Sequence, residues 1–342
     1  MKPTVSLIIP CRNENNYIET VIDNLIGQDY PSDKIEIIIA EGRSDDGTVE
    51  RIMAKAAIYP NILLIDNEEK VVPYGLNKAI KAAKGEYIVR IDAHCEYPSN
   101  YVSRLIEVHQ ELDAENTGGV WITRPGSDSE VGKTIAIATS HAFGIGNSYY
   151  RLGTEGITEV DTVPYGCFKK DLFDRIGYFD TDLTRNQDDE FNARIIKNGG
   201  KIYLIPDLEI IYFARPTWQK MSKMFYQYGL FKPLANKKVG HISTVRQLVP
   251  FAFVLFTLFG LPIAFIGPLF CWLYLSGLGF YFLVNLLISF SIAFKHKKGV
   301  LLALLPITFV TIHMSYGWGY LRGIIKYLIL NKQTKKQLDT SR

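Results

Sequence analysis

Residues 87–98 read YIVRIDAHCEYP. An apolar run (Tyr87, Ile88, Val89, Ile91) stops abruptly at Asp92-Ala93-His94. That is the pattern of a buried strand delivering polar groups to the edge of a sheet. Two groups one residue apart at a strand end can both reach one cation or one diphosphate. Arg90 alternates to the opposite face from Ile91 and reads as an ion-paired structural residue.

Ahead of this strand, residues 4–10 (TVSLIIP) form a β-branched run expected to be a buried parallel strand. Ile18, Val21, Ile22, Leu25 and Ile26 recur at helical spacing within 14–28. Residues 35–40 (IEIIIA) make a second strand ending in EGRSDDGT, where Ser44 or Asp45 is placed to cap a helix over 48–57. A strand over 61–65, a helix over 75–83 and the strand over 86–91 complete the alternation. This predicts an α/β domain with a Rossmann-like, right-handed, mostly parallel sheet. No GxGxxG follows the first strand, which argues against a dinucleotide enzyme. Downstream, a helix over 101–112 precedes a polar, Gly-rich stretch from Gly118 to Gly156, expected to be active-site loops rather than core. TVPYGCF (162–168), a short helix near 171–176, a loop ending in NQDDE, a helix over 190–197 and a strand over 201–206 follow.

The net charge of +3 conceals an asymmetry. Residues 1–209 hold 34 of the 35 acids and 22 Lys and Arg, a balance of −12; residues 210–342 carry +15. An acidic front and a basic, apolar back fit a soluble domain docked on an anionic membrane face. The bases flank long apolar runs instead of forming a compact patch, so no nucleic-acid partner is expected. Cys11, Cys95, Cys167 and Cys271 are scattered, as reduced cytosolic thiols would be, and no signal peptide is expected before the first strand.

Trp218, Met221, Phe225 and Tyr228 recur at helical spacing with Lys220, Lys223 and Gln227 between them. They read as an in-plane amphipathic membrane helix or as an ordinary helix packed on the domain. Residues 247–294 are 48 positions without a charge, room for two spans split near Gly267-Pro268. Lys295-His296-Lys297-Lys298 closes this hairpin, and 299–321 make a third apolar segment. Two spans keep that basic loop cytosolic, whereas a complete third would export Arg322, Lys326, Lys332, Lys335 and Lys336 against the positive-inside rule. Either the last segment is re-entrant or the tail breaks the rule. The expected boundaries are 1–215 for the first domain, 216–246 for an interface helix, 247–321 for the membrane region and 322–342 for a basic tail. Spans without intramembrane charge offer a transporter no coupling path.

VSLIIPCRNEN, EGRSDDGT, GLNKAIKAAKGEYIVRIDAH and NQDDEFNARIIKNGGKIYLIP, in that order across about residues 4–232, resemble the family 2 inverting glycosyltransferases of the GT-A fold. IDAH followed by a C-terminal hairpin is similar to the bacterial succinoglycan-type exopolysaccharide glucosyltransferases. The resemblance implies a GT-A domain followed by transmembrane helices, with the catalytic domain on the cytosolic side of a bacterial inner membrane. It implies a UDP-sugar donor, a lipid-linked saccharide acceptor and a divalent metal, Mn2+ or Mg2+. Pro10, Arg12 and Glu14 would line the nucleotide pocket, with Asp92 also on the nucleotide-sugar. Glu41 stands where the family has an Asp that bonds uracil, unless it is simply an acid on a turn.

Asp92 and His94 occupy the positions of the family's metal-binding Asp-x-Asp. Imidazole tolerates softer ions better than carboxylate does, so Mn2+ is expected to gain on Mg2+. The alternative is a neutral His94 donating to phosphate, with the metal dispensable. Asp188 is the expected general base, at a helix N-terminus that favours its ionised form. Asp189 is the neighbouring candidate, an acidic helix cap is the structural alternative, and Gln187 replaces the family's usual Glu. The processive Gln-x-x-Arg-Trp motif is absent around Arg215 and Gln227, so single-sugar transfer is expected. Lys220, Lys223, Lys232, Lys237 and Lys238 would lie near lipid phosphates. The reading is transfer of a hexose, glucose from UDP-glucose, to a polyprenyl-diphosphate-linked sugar. The alternatives are a polyprenyl-phosphate glycosyltransferase and a catalytically weak scaffold of polysaccharide assembly.

Overall fold

The computed structural model describes residues 2–332 of the 342. They fall into two compact units: one holds the chain up to Ile122 together with Tyr149–Tyr212, the other Thr123–Ser148 together with the chain from Phe213 onward.

The first unit is built on a sheet of nine strands among the described residues: β1 Val5–Cys11, β2 Ile35–Glu41, β3 Ile62–Asp66, β4 Tyr87–Arg90, β5 Cys95–Glu96, β6 Asn116–Arg124, β7 Thr158–Glu159, β8 Cys167–Lys169 and β9 Ile202–Phe213. The order is β3-β2-β1-β4-β8-β6-β9-β5, with β7 on β9. The expected parallel arrangement holds for β1 to β4. Beyond β4 the sheet turns antiparallel, at β4–β8, β6–β8, β5–β9 and β7–β9. Leu7, Ile9, Ile37, Ile39, Val89 and Ile91 pack into one apolar layer, while Ile8, Ile38 and Ile88 join Leu76, Phe168 and Phe191 in another. Helices cover both faces, which is why these strands carry consecutive apolar residues rather than alternating ones.

The stretch expected to be loops from Gly118 onward begins as sheet, because Gly118 and Gly119 lie inside β6. A Cβ on Gly119 would strike the Leu208 carbonyl oxygen, and one on Gly118 would come within 2.7 Å of the Val163 side chain. These glycines mark close backbone packing, not a loop. Helices Glu130–Ala138, Ala142–Ile145 and Tyr149–Leu152 fill much of the remaining stretch.

In the second unit, Ile135, Ala138, Met221, Phe225, Leu305 and Phe309 form one apolar cluster. The Trp218–Val239 helix thus packs its apolar side against protein. Among the described residues, three segments are long and apolar enough to cross a membrane: Val245–Ala264, Pro268–His296 and Leu301–Ile329. The last is one uninterrupted helix, Leu301–Gly323 running on into a π-helical turn Ile324–Ile329, and Pro306, Gly317 and Gly319 do not break it into a re-entrant loop. Lys335 and Lys336, with residues 333–342 of the expected basic tail, lie outside the described residues.

Candidate active site

After β1 the chain crosses to β2 and β3 on one side, then returns to β4 on the other side of β1. The carboxyl ends of β1 and β4 therefore form the topological switch point, where open α/β sheets leave a crevice. Arg12, Asn13 and Glu14 follow β1; Asp92 and His94 follow β4.

These two loops meet. His94 Nδ1 lies 2.7 Å from Asp92 Oδ1 and 3.2 Å from Glu14 Oε1. The His94 backbone N–H donates to Asp92 Oδ1 at 3.1 Å, and the Asp92 N–H donates to Tyr97 Oη at 2.7 Å. Burial pushes the Tyr97 hydroxyl well above its ordinary pKa, so it stays a neutral partner. Immediately afterwards β5 pairs with β9, which fixes the motif between two anchored strands.

The loops after β1 and β2 are also stitched together. Asn13, with φ 55° in the left-handed region, donates its N–H to Ser44 Oγ at 2.8 Å and accepts from the Asp45 N–H at 3.1 Å. Glu41 is 6% exposed and turns its carboxylate back into its own turn. It accepts from the Arg43 and Ser44 N–H groups at 2.8 Å each and from the Ser44 hydroxyl. The structure thus gives Glu41 the turn-organising contacts weighed as its structural alternative. Asp46, not Ser44 or Asp45, accepts from the Thr48 N–H at 3.1 Å at the start of the next helix. Arg12 packs its stem against Gly42, where a Cβ would come within 3.0 Å, and Pro10 pairs with Ala40 across β1 and β2.

Asp188, Asp189 and Glu190 occupy the first turn of the Gln187–Lys197 helix, a favourable place for anions. Their environments differ. Glu190 is paired with Arg194 at 2.8 Å, and Asp189 accepts from the Thr162 hydroxyl at 3.4 Å. The Asp188 carboxylate meets the Arg90 guanidinium. Arg90 is 6% exposed and lies over the Tyr165 ring at 5.5 Å, while the Asp188 side chain is 29% exposed. Burial pulls the guanidinium below its ordinary pKa, yet arginine remains charged in proteins. A buried cation thus holds a more open carboxylate from beneath. Sequence reading recognised Arg90 only as an ion-paired residue; its partner lies 98 positions away, and a charge inside an apolar strand was the signal. Tyr97 escaped notice because nothing in its spacing marks it.

Cys11, Cys95 and Cys167 are buried free thiols, and burial, with the Glu14 and Glu41 charges adding at Cys11, raises the pKa of each. None is a poised nucleophile. Among the described residues no group of three or more His, Cys, Asp or Glu is arranged to hold a metal. The pair Asp92 and His94 nevertheless suits a divalent ion that takes most of its shell from substrate phosphates. His94 directs Nδ1 at carboxylates, the usual second contact of a metal-bound imidazole, which leaves Nε2 as the ligating nitrogen.

A mixed, twisted sheet with polar groups at the β1/β4 switch point and a helix-borne acid cluster defines a GT-A-like domain. The glycosyl transferase family 2 model matches residues 6–177, and the chain belongs to that family of enzymes. It is 29% identical over 328 residues (94% of this chain, 97% of the relative) to the dolichyl N-acetyl-alpha-D-glucosaminyl phosphate 3-beta-D-2,3-diacetamido-2,3-dideoxy-beta-D-glucuronosyltransferase of Methanococcus voltae. It is 30% identical over 254 residues (72% and 74%) to the succinoglycan biosynthesis protein ExoA of Rhizobium meliloti. A mannosyltransferase from Pyrobaculum calidifontis, solved with GDP-Man and Mn2+, superposes with TM-score 0.63 at 20% identity, covering 95% of this chain and 88% of that one.

Proposed function

We propose that this family 2 glycosyltransferase is membrane-anchored and inverting, and moves glucose from UDP-glucose to a lipid-linked saccharide on the cytosolic face. The observation that carries the reading is the meeting of Glu14, Asp92 and His94 at the β1/β4 switch point, with Asp188 held by Arg90 of the same strand β4. Arg12, Glu14, Glu41 and Asp92 bind the nucleotide-sugar beside Pro10, with Glu41 also bracing its own turn. Asp188 accepts the proton of the acceptor hydroxyl as that oxygen attacks the anomeric carbon in line with the departing UDP. Arg90 keeps that carboxylate ionised and oriented. A divalent cation held by Asp92 and His94 Nε2 would neutralise the charge that develops on the diphosphate. One displacement inverts the anomeric centre.

The acceptor is proposed to be a polyprenyl-diphosphate-linked sugar. Support comes from the long apolar helices of the second unit and from two relatives. The Methanococcus voltae enzyme's name puts its acceptor sugar on a dolichyl phosphate, and ExoA is named for succinoglycan biosynthesis. The test is UDP release by the full chain in nanodiscs, with a panel of UDP-sugars, with and without Mn2+, and with phosphate- and diphosphate-linked saccharides. Selective turnover of UDP-glucose with the diphosphate-linked acceptor is expected. Transfer directly to polyprenyl phosphate would instead establish lipid phosphate as the nucleophile, and no turnover with any sugar would favour a scaffold.

A further inference from the structure

The Trp218–Val239 and Leu301–Gly323 helices run side by side, parallel and in register. Trp218 Nε1 donates to Thr308 Oγ1 at 2.9 Å, and the Ser222 and Ser315 hydroxyls meet at 2.8 Å. Further along, Gly319 lies against the Tyr226 carbonyl, Gly323 against that of Leu230, and Lys237 Nζ donates to the Tyr327 carbonyl at 3.0 Å. The partners stay 90 to 93 residues apart throughout. Glycine at the crossing points allows this close approach. Whatever depth residues 308–327 take in a membrane, residues 218–237 share it.

That constraint decides what the third apolar segment can do. Its companion exposes Lys220, Lys223, Lys237 and Lys238, with Lys232 buried between them. On the insertion scale one lysine at the centre of a span offsets about five leucines or more. Snorkelling rescues at most the outer lysines: with Lys223 and Lys237, about 21 Å apart along a helix, reaching opposite edges of a hydrocarbon core of about 30 Å, the buried Lys232 between them stays about 12 Å deep. The Leu248–Ala264 and Pro268–His296 helices behave differently. Their outer halves pack on each other, Phe256 on Tyr274 at 5.4 Å and Gly277 against Phe256. They expose Phe265, Ile266, Leu269 and Trp272, and they carry no charge before Lys295. The Leu301–Gly323 helix meets this hairpin nearer its base, with Gly317 against the Pro250 carbonyl, Tyr320 on Phe251 at 5.1 Å and the Tyr281 hydroxyl 2.8 Å from His313 Nδ1.

We propose that the chain enters the bilayer only through the Leu248–Ala264/Pro268–His296 hairpin, and that the Trp218–Val239 and Leu301–Gly323 helices form a layer on the bilayer surface. Their lysines lie among anionic headgroups and their apolar edges reach the acyl boundary. Lys295, Lys297, Lys298, Arg322, Lys326 and Lys332 then share one face, and the positive-inside rule holds without exception.

The test is sidedness. Gly299→Cys, Asn331→Cys and Lys332→Cys are made one at a time in full-length chain whose native cysteines are replaced, and a membrane-impermeant maleimide is applied to sealed right-side-out and inside-out vesicles. Positions 331 and 332 are expected to label only in the orientation that labels 299. Labelling from the opposite face, or from neither, would overturn the proposal. Should the cysteine-free chain misfold, a reporter fused after the last residue of the native sequence reads the same sidedness.

Discussion

His109 offers a prediction whose size follows from the structure. It lies on the Tyr101–Glu111 helix, fully buried, edge-on to Tyr87 with centroids 5.0 Å apart. Burial, with the positive charge of Lys169 adding to it, lowers its pKa from 6.5 to about 4. The unfolded chain therefore binds this proton more readily than the folded one. Stability is complete above the unfolded value and declines as pH falls from 6.5 toward 4. Between about pH 7.5 and 5 the linkage removes roughly 2 kcal/mol. For a domain of this size that corresponds to about 4–8 °C in Tm. The assay is thermal unfolding of the full chain in detergent at both pH values, for wild type and His109→Leu. Carboxylate titrations affect both proteins equally, and the lost Tyr87 contact affects the variant equally at both pH values, so the quantity read is the difference of differences. Wild type is expected to lose those extra degrees on acidification. A parallel decline of the two proteins would refute the assignment of this acid sensitivity to His109.

Three further outcomes are expected. Gly119→Ala should destabilise by about 3 kcal/mol or prevent folding, read as Tm or yield, because its methyl has only the Leu208 carbonyl to displace. Arg90→Met should lower kcat with donor KM nearly unchanged and should also lower Tm, since it removes one partner and leaves the Asp188 charge uncompensated; Arg90→Lys should restore part of kcat and Tm, and adding Asp188→Asn to Arg90→Met should cost little kcat beyond Asp188→Asn alone. His94→Asp should lower the ratio of Mn2+- to Mg2+-supported turnover, measured as initial rates of UDP release at saturating metal, by replacing the softer donor with a carboxylate.

The parallel half of the sheet was legible because its strands are buried on both faces, and runs such as VSLII and EIIIA admit few other readings. The antiparallel half was not. β6 opens with Gly118-Gly119, and glycine as a packing device looks like glycine as a turn until Leu208 and Val163 are seen against it. Asp92 and His94 after β4 could be named from local pattern, and Arg12 and Glu14 after β1 from the family resemblance. Their convergence could not, since Glu14 and His94 are 80 positions apart and meet only through strand order. For Glu41 the position was legible, but the turn contacts that its carboxylate makes with Arg43 and Ser44 were not. In the membrane region, hydropathy counted three crossings, but the companion helix that bears on the third is separated from it by about 90 residues and was visible only in the fold.

The most direct test of the account is UDP release with saturating UDP-glucose and lipid-linked acceptor, for wild type and Asp188→Asn. Loss of a positioned general base should lower kcat by about 10²–10⁴-fold, with donor KM unchanged, while Tm falls as the buried Arg90 cation loses its partner. Turnover within a few-fold of wild type would contradict the assignment of Asp188, and with it the mechanism built on the Arg90–Asp188 pair.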